Sequence, residues 1–125
     1  MSTNVVGPDF LTLQVSDLER SRRFYTETVG FTQVESKIPN AAVLGAKPIK
    51  IALRQATDDL SIVSQLGHGV VIWIKAEDPD KLVAEIAAAG VEITKPICDG
   101  SCGREFIFRD PFDGYQITIY EGQPE

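Results

Sequence analysis

Phe10-Leu-Thr-Leu-Gln-Val-Ser-Asp17 and Val71-Ile-Trp-Ile-Lys-Ala-Glu-Asp78 share one layout, an alternating strand that runs into an aspartate. A helical stretch of about three turns follows each aspartate. Gly30 or Gly90 then closes the helix, and β-rich sequence resumes. Read as an internal repeat, this makes the chain two copies of a β-α-β-β-β unit. The match lies in pattern rather than in identity.

The helix signals have mechanisms. Ser16-Asp17-Leu18-Glu19 reads as a capping box, in which the Ser and Glu side chains satisfy the first free backbone N–H groups. Leu18, Phe24, Tyr25 and Val29 supply an apolar stripe. In the second unit Asp78 is a good N-cap, and Pro79 suits the first helical position, where its missing N–H costs nothing. Leu82, Val83, Ile86 and Ala89 recur at helical spacing. Gly90 supplies the left-handed residue that ends many helices.

The remaining strands are expected at 32–36, 42–45 and 49–55, then at 91–95, 105–109 and 116–120, with turns at Asp99-Gly100 and Asp113-Gly114. The reading is therefore one α+β domain over 1–125. Module one spans 9–55, a linker 56–67 and module two 68–122. The linker is polar at Thr57-Asp58-Asp59, while Leu60, Ile62, Val63 and Leu66 suggest that it packs down afterwards.

Composition narrows the function. A chain of 125 residues that is 43% hydrophobic has enough apolar content for a real core. Its longest strongly apolar run, 70–74, is far below the roughly 20 residues of a membrane span. Met-Ser-Thr-Asn lacks the basic flank and apolar core of a secretory signal, so a cytoplasmic protein is expected. A formal charge of −6 argues against nucleic acid as a partner. Cys98 and Cys102 lie four apart, and a signal-less chain favours two free thiols over a bridge or redox pair. One His and two Cys are too few and badly spaced for zinc.

Strand alternation assigns the faces. Leu11, Leu13 and Val15 are uniformly apolar and should cover the first helix, which turns Phe10, Thr12 and Gln14 the other way. Ile49, Ile51 and Leu53 likewise leave Lys50, Ala52 and Arg54 outside. In the second unit Val70, Ile72 and Ile74 point inward, against Val71, Trp73 and Lys75. Ile117 and Ile119 do so against Gln116, Thr118 and Tyr120. Glu105 stays open, because Phe106 and Phe108 fit either side of their strand. The helix-free face thus offers aromatic bodies, Thr and Gln groups, and the cations Lys50, Arg54 and Lys75. An aromatic-walled cleft with a few placed polar groups suits a small molecule. A face covered by a partner subunit is the competing reading.

Val15-x-Asp17-Leu18-Glu19-x-Ser21-x-x-Phe24-Tyr25, followed by Val29-Gly30-Phe31, resembles the opening module of the vicinal oxygen chelate superfamily. Glyoxalase I, bleomycin-resistance proteins, fosfomycin-resistance enzymes and extradiol dioxygenases belong to that group. Gly103-Arg104-Glu105-Phe106-x-Phe108-Arg109-Asp110-Pro111-Phe112-Asp113-Gly114-Tyr115 is similar to its final hairpin. The resemblance covers almost the whole chain. It implies paired β-α-β-β-β modules, their curved mixed sheet wrapped round a cup with the helices outside, and a tendency to form homodimers.

The resemblance also implies a metal site, and here the chain departs from it. The family's metal enzymes carry a His seven residues before each helix-capping Asp, where this chain has Phe10 and Val71. They place a Glu four residues after the hairpin glycine, where this chain has Thr118. The equivalent region of the first module, 50–52, has no carboxylate. Phe and Val have no donor atom, Thr is a poor neutral ligand, and Lys repels a cation. His68 belongs to the turn leading into its strand and points away from Val71. No metal and no other cofactor is therefore expected.

The family also includes metal-free members that sequester antibiotics. A metal-independent protein that binds a small anionic or aromatic molecule is the preferred reading. Phe10, Trp73 and Tyr120 would stack on the ligand, while Lys50, Arg54 and Lys75 meet its charge. Thr12, Gln14, Gln116 and Thr118 line the same face, with Gln14, Gln116 and Thr118 orienting the ligand by hydrogen bonds. Bleomycin-type drugs are cationic, so these cations argue against that ligand. The alternative is a lyase, isomerase or dioxygenase of the same superfamily. Its proton-transfer candidates would be Glu105, Tyr120 and a lysine of shifted pKa, and stoichiometric bound metal would favour it. A third reading is a regulatory subunit whose face another chain covers.

Overall fold

The computed structural model describes residues 4, 8–101 and 103–122. Cys102 lies outside the described residues, and with it the question of a Cys98–Cys102 pair. The chain divides into two compact units, Met1–Asp58 and Asp59–Glu125. Each holds one four-stranded mixed sheet and one main helix, so the fold is α+β.

In the first unit β1 (Phe10–Val15) leads into α1 (Leu18–Arg23), then β2 (Thr32–Val34), β3 (Ala41–Gly45) and β4 (Lys50–Gln55). The sheet order is β1-β4-β3-β2, with β1 and β4 parallel and the other pairs antiparallel. The second unit holds β5 (Ile72–Lys75), α2 (Pro79–Ala88), β6 (Ile93–Gly100), β7 (Gly103–Arg109) and β8 (Gln116–Tyr120). Its order, β5-β8-β7-β6, again pairs the first and last strands in parallel. The same topology twice is the repeat seen in the sequence.

The first helix starts differently from the capping-box expectation. Asp17 is the N-cap, and its carboxylate accepts from the Arg20 N–H at 3.1 Å. Ser16 Oγ instead accepts from the Arg20 guanidinium, and Glu19 pairs with Arg22. A bidentate guanidinium–carboxylate pair outcompetes a single reach-back bond to a backbone N–H. That pairing also holds the Glu19 carboxyl below its ordinary range, through the Arg22 hydrogen bond first.

Regular α-helix gives way to a π-helical segment, Phe24–Val29. Aromatic and β-branched residues there are weak helix formers, and the Thr26 hydroxyl takes the Arg22 carbonyl at 2.8 Å. The wider turn buries the consecutive Phe24 and Tyr25, whose rings meet edge-on at 5.0 Å. Gly30 closes the helix at φ +105°, a left-handed conformation that favours glycine.

In the first unit Leu13, Val15, Phe24, Tyr25, Val29, Ile51 and Leu53 are buried, with α1 resting on β3 and β4. In the second, Ile86, Phe106, Phe108, Ile117 and Ile119 are buried, with α2 on β6 and β7. Leu11, Ile72 and Ile74 are half-buried. Val70 departs from its inward assignment. It lies before β5 in a turn closed by its N–H to the Gly67 carbonyl, and it is 62% exposed. The linker differs in part: Ile62 and Val63 are exposed, whereas Leu60 and Leu66 are half-buried. Asp59 caps a short 3-10 turn there, Leu60–Ile62, and Val63 follows it in extended conformation.

Two further boundaries shift. β6 starts later than expected and runs on through Asp99-Gly100, so the hairpin lies beyond the paired Gly100 and Gly103. β2 ends at Val34, two residues before the expected boundary.

Candidate functional site

Cross-strand partners share a face, so the ladders decide which residues meet. In the first unit Phe10 lies opposite Lys50, Thr12 opposite Ala52 and Gln14 opposite Arg54. These form three rows on the face away from α1. The next strand continues them, with Ala41 beside Arg54 and Val43 beside Ala52, and Val34 then flanks Val43. Phe10, Thr12, Gln14, Lys50 and Arg54 are exposed, whereas Ala52 and Val43 are buried. The face is thus low along its centre and tall at its edges.

A groove of about 650 Å³ opens where β2 leaves the sheet after Val34. Val34, Ala41 and Val43 contribute apolar surface to it, with Gln33, Glu35 and Lys37 alongside. Had the ladder continued, residue 36 would have lain opposite Ala41; the departure of the chain leaves that space open.

In the second unit Trp73 lies opposite Thr118, and Lys75 opposite Tyr120. Trp73 is 48% exposed, and its ring meets Tyr120 edge-on at 5.2 Å. Thr118 is only 4% exposed, so it sits low between its neighbours. Gln116 is exposed and its amide oxygen accepts from the Thr94 hydroxyl at 3.1 Å.

The ladder also resolves Glu105. Phe106 and Phe108 are fully buried, and Glu105 lies opposite Tyr120, on the face of Trp73. A register shift between Ile93 and Lys95 re-aims the β6 edge. The Lys95 ammonium then reaches the Glu105 carboxylate at 3.1 Å. That carboxylate holds Lys95 protonated above its ordinary range. Gly100 lets the Glu105 side chain lie across β6, since a Cβ there would collide with the carboxylate. Sequence reasoning missed Lys95 because a bulge breaks the alternation by which faces are read.

Among the described residues, Lys50, Arg54 and Lys75 form no ion pair. The donor set of these faces does not fit a divalent ion. Phe10 and Trp73 offer only rings, the lysines repel a cation, and Glu105 is already taken by Lys95. Among the described residues no three His, Cys, Asp or Glu side chains gather as a metal-holding group. Cys98 is a free thiol opposite Glu105, and no helix is long and apolar enough to cross a membrane among the described residues.

A paired β-α-β-β-β topology with these faces defines a class, and comparison with known proteins gives it a family. The sequence model of the Glyoxalase/Bleomycin resistance protein/Dioxygenase superfamily matches residues 7–119, and the chain belongs to that superfamily. A superfamily member from Sphaerobacter thermophilus is 26% identical, with a TM-score of 0.69 over 92% of this chain and 96% of its own. TnmS3, an antibiotic binding protein from Streptomyces sp. CB03234, is 21% identical, with a TM-score of 0.71 over 99% and 100% of the two chains. The bleomycin-binding protein of Streptomyces verticillus, crystallised with copper(II)-bleomycin, is also 21% identical. It has a TM-score of 0.66 over 98% of this chain and 100% of its own. At that identity the last two show a common fold. No curated protein sequence matches the chain.

Proposed function

We propose that this protein binds a small acidic aromatic molecule, without a metal, on the helix-free faces of its sheets. The observation that carries the reading is the second unit's platform. A half-exposed indole is held edge-on by Tyr120, with the Lys75 ammonium in the next row and, among the described residues, no carboxylate paired to it. Leaving a tryptophan half in water forgoes burial of a large apolar surface, and a stacking ligand supplies the missing partner. An ammonium beside it favours an anion on that ligand. The superfamily lends support, since relatives of the same fold are named for holding bleomycin or another antibiotic. The reading includes a cytoplasmic homodimer, the assembly that the family resemblance implies; sedimentation at a monomer's mass would remove that part of it.

Trp73 is the only tryptophan of the chain, so its emission reports on the platform directly. Titration with small aromatic carboxylates is expected to give saturable quenching, unchanged by EDTA. Lys75→Ala should weaken binding about tenfold, the scale of one charge-assisted hydrogen bond. Equal affinities for the wild type and Lys75→Ala would remove the anion from the reading. Loss of binding on chelation would remove metal independence.

A further inference from the structure

The groove beside β2 has a chemistry of its own. Its apolar surface comes from Val34, Ala41 and Val43, a small and shallow set that accommodates a flat body. Its volume of about 650 Å³ lies inside the roughly 300–1,000 Å³ usual for small-molecule pockets. On the β4 side Arg54 stands directly opposite Ala41. Residues in such register have Cβ atoms about 5 Å apart, so an arginine side chain spans the distance to whatever lies over Ala41. Arg54 is exposed and, among the described residues, has no carboxylate partner. Lys37 adds a second cation at the groove, against the single carboxylate of Glu35. The Ser36 hydroxyl oxygen accepts from the Ile38 N–H at 3.1 Å.

We infer that this groove is a second, separate site for an acidic aromatic molecule, and that Arg54 is the anion-binding residue of that site. The inference rests on the ligand class proposed above but places the ligand on residues of the first unit alone. A planar guanidinium takes a carboxylate through two parallel N–H···O bonds, which fixes the ring's direction as well as its charge. The ring then lies over Ala41 and Val43 toward Val34. Larger side chains at 41 or 43 would fill that space, so the small residues set which ligand bodies are admitted.

The test uses the full-length protein and naphthalene-2-carboxylate, with naphthalene-2-carboxamide as the uncharged control. Methyl NMR follows Val34, Ala41 and Val43 while fluorescence follows Trp73 in the same titration. Saturable shifts at the three methyl-bearing residues are expected. Arg54→Gln should weaken the carboxylate about tenfold and leave the carboxamide unchanged. Ala41→Leu should weaken both. Arg54 lies on the exposed face, so the first variant keeps the test decisive even if the second fails to fold. Quenching of Trp73 without groove shifts overturns the second site and leaves the binding function standing. Groove shifts that ignore Arg54→Gln overturn its role as the anion partner. Groove shifts without quenching support the second site and overturn the tryptophan platform, and silence at both overturns both.

Discussion

Replacing Gly100 by Ala tests the packing that fixes the polar end of the second unit's face. An ideal Cβ at Gly100 collides with the Glu105 Oε1 and Cδ atoms and comes within 3.0 Å of its Cγ. The side chain must then move, although only 10% of its surface is exposed, and it leaves Lys95, now 3.1 Å away. Overpacking of this kind costs about 1–3 kcal/mol. The Lys95 side chain is 45% exposed, so water screens the pair and its loss adds little. A total of about 1–3 kcal/mol therefore follows for Gly100→Ala. Glu105→Ala should remove the obstruction, so the double variant should lose less stability than the two single variants together. The expected coupling is about 1–3 kcal/mol in a double-mutant cycle followed by urea denaturation. Additivity to within about 0.5 kcal/mol would refute the steric account and, with it, the reason for glycine at this position.

Gln55 fastens the start of α1, accepting from the Leu18 N–H at 2.9 Å and donating to the Ser16 carbonyl at 2.8 Å. Gln55→Ala should cost about 1–3 kcal/mol and speed hydrogen exchange at Leu18, because a helix-start N–H loses its partner; unaltered exchange there would contradict this. Arg104 grips Asp80 at the start of α2 and Asp99 on β6, and its hydrogen bonds hold the Asp80 carboxyl below the ordinary value of 3.8. A depressed carboxyl stabilises the fold above its unfolded pKa, and that contribution fades as pH falls through the folded value. The stability difference between wild type and Arg104→Gln should therefore be present near pH 6 and shrink below about pH 4. Thermal melts showing a constant difference across that range would exclude the linkage.

Local patterns carried the broad plan. Two strand–aspartate–helix–glycine runs are visible without any long-range contact, because capping, helical periodicity and strand alternation are properties of neighbouring residues. The outward assignment of Phe10, Thr12, Gln14, Lys50, Arg54, Trp73 and Lys75 follows from the same period of two. Their exposure agrees with it. The sequence also showed that donor atoms are missing at positions 10 and 71, since that requires only residue identity.

Tertiary structure alone decided the rest. Competition among side chains replaced the capping box by Asp17 and drew Glu19 to Arg22. Glu105 had no readable face until Phe106 and Phe108 were seen buried beneath the sheet. The bulge that aims Lys95 and the early end of β2 that opens the groove both interrupt the alternation by which a sequence is read. Register is a pairing between residues far apart in the chain, settled by how whole strands bury their inner faces together. The residues that stand side by side on each sheet, and the hollow beside Ala41, therefore arise only once the strands have been laid next to one another.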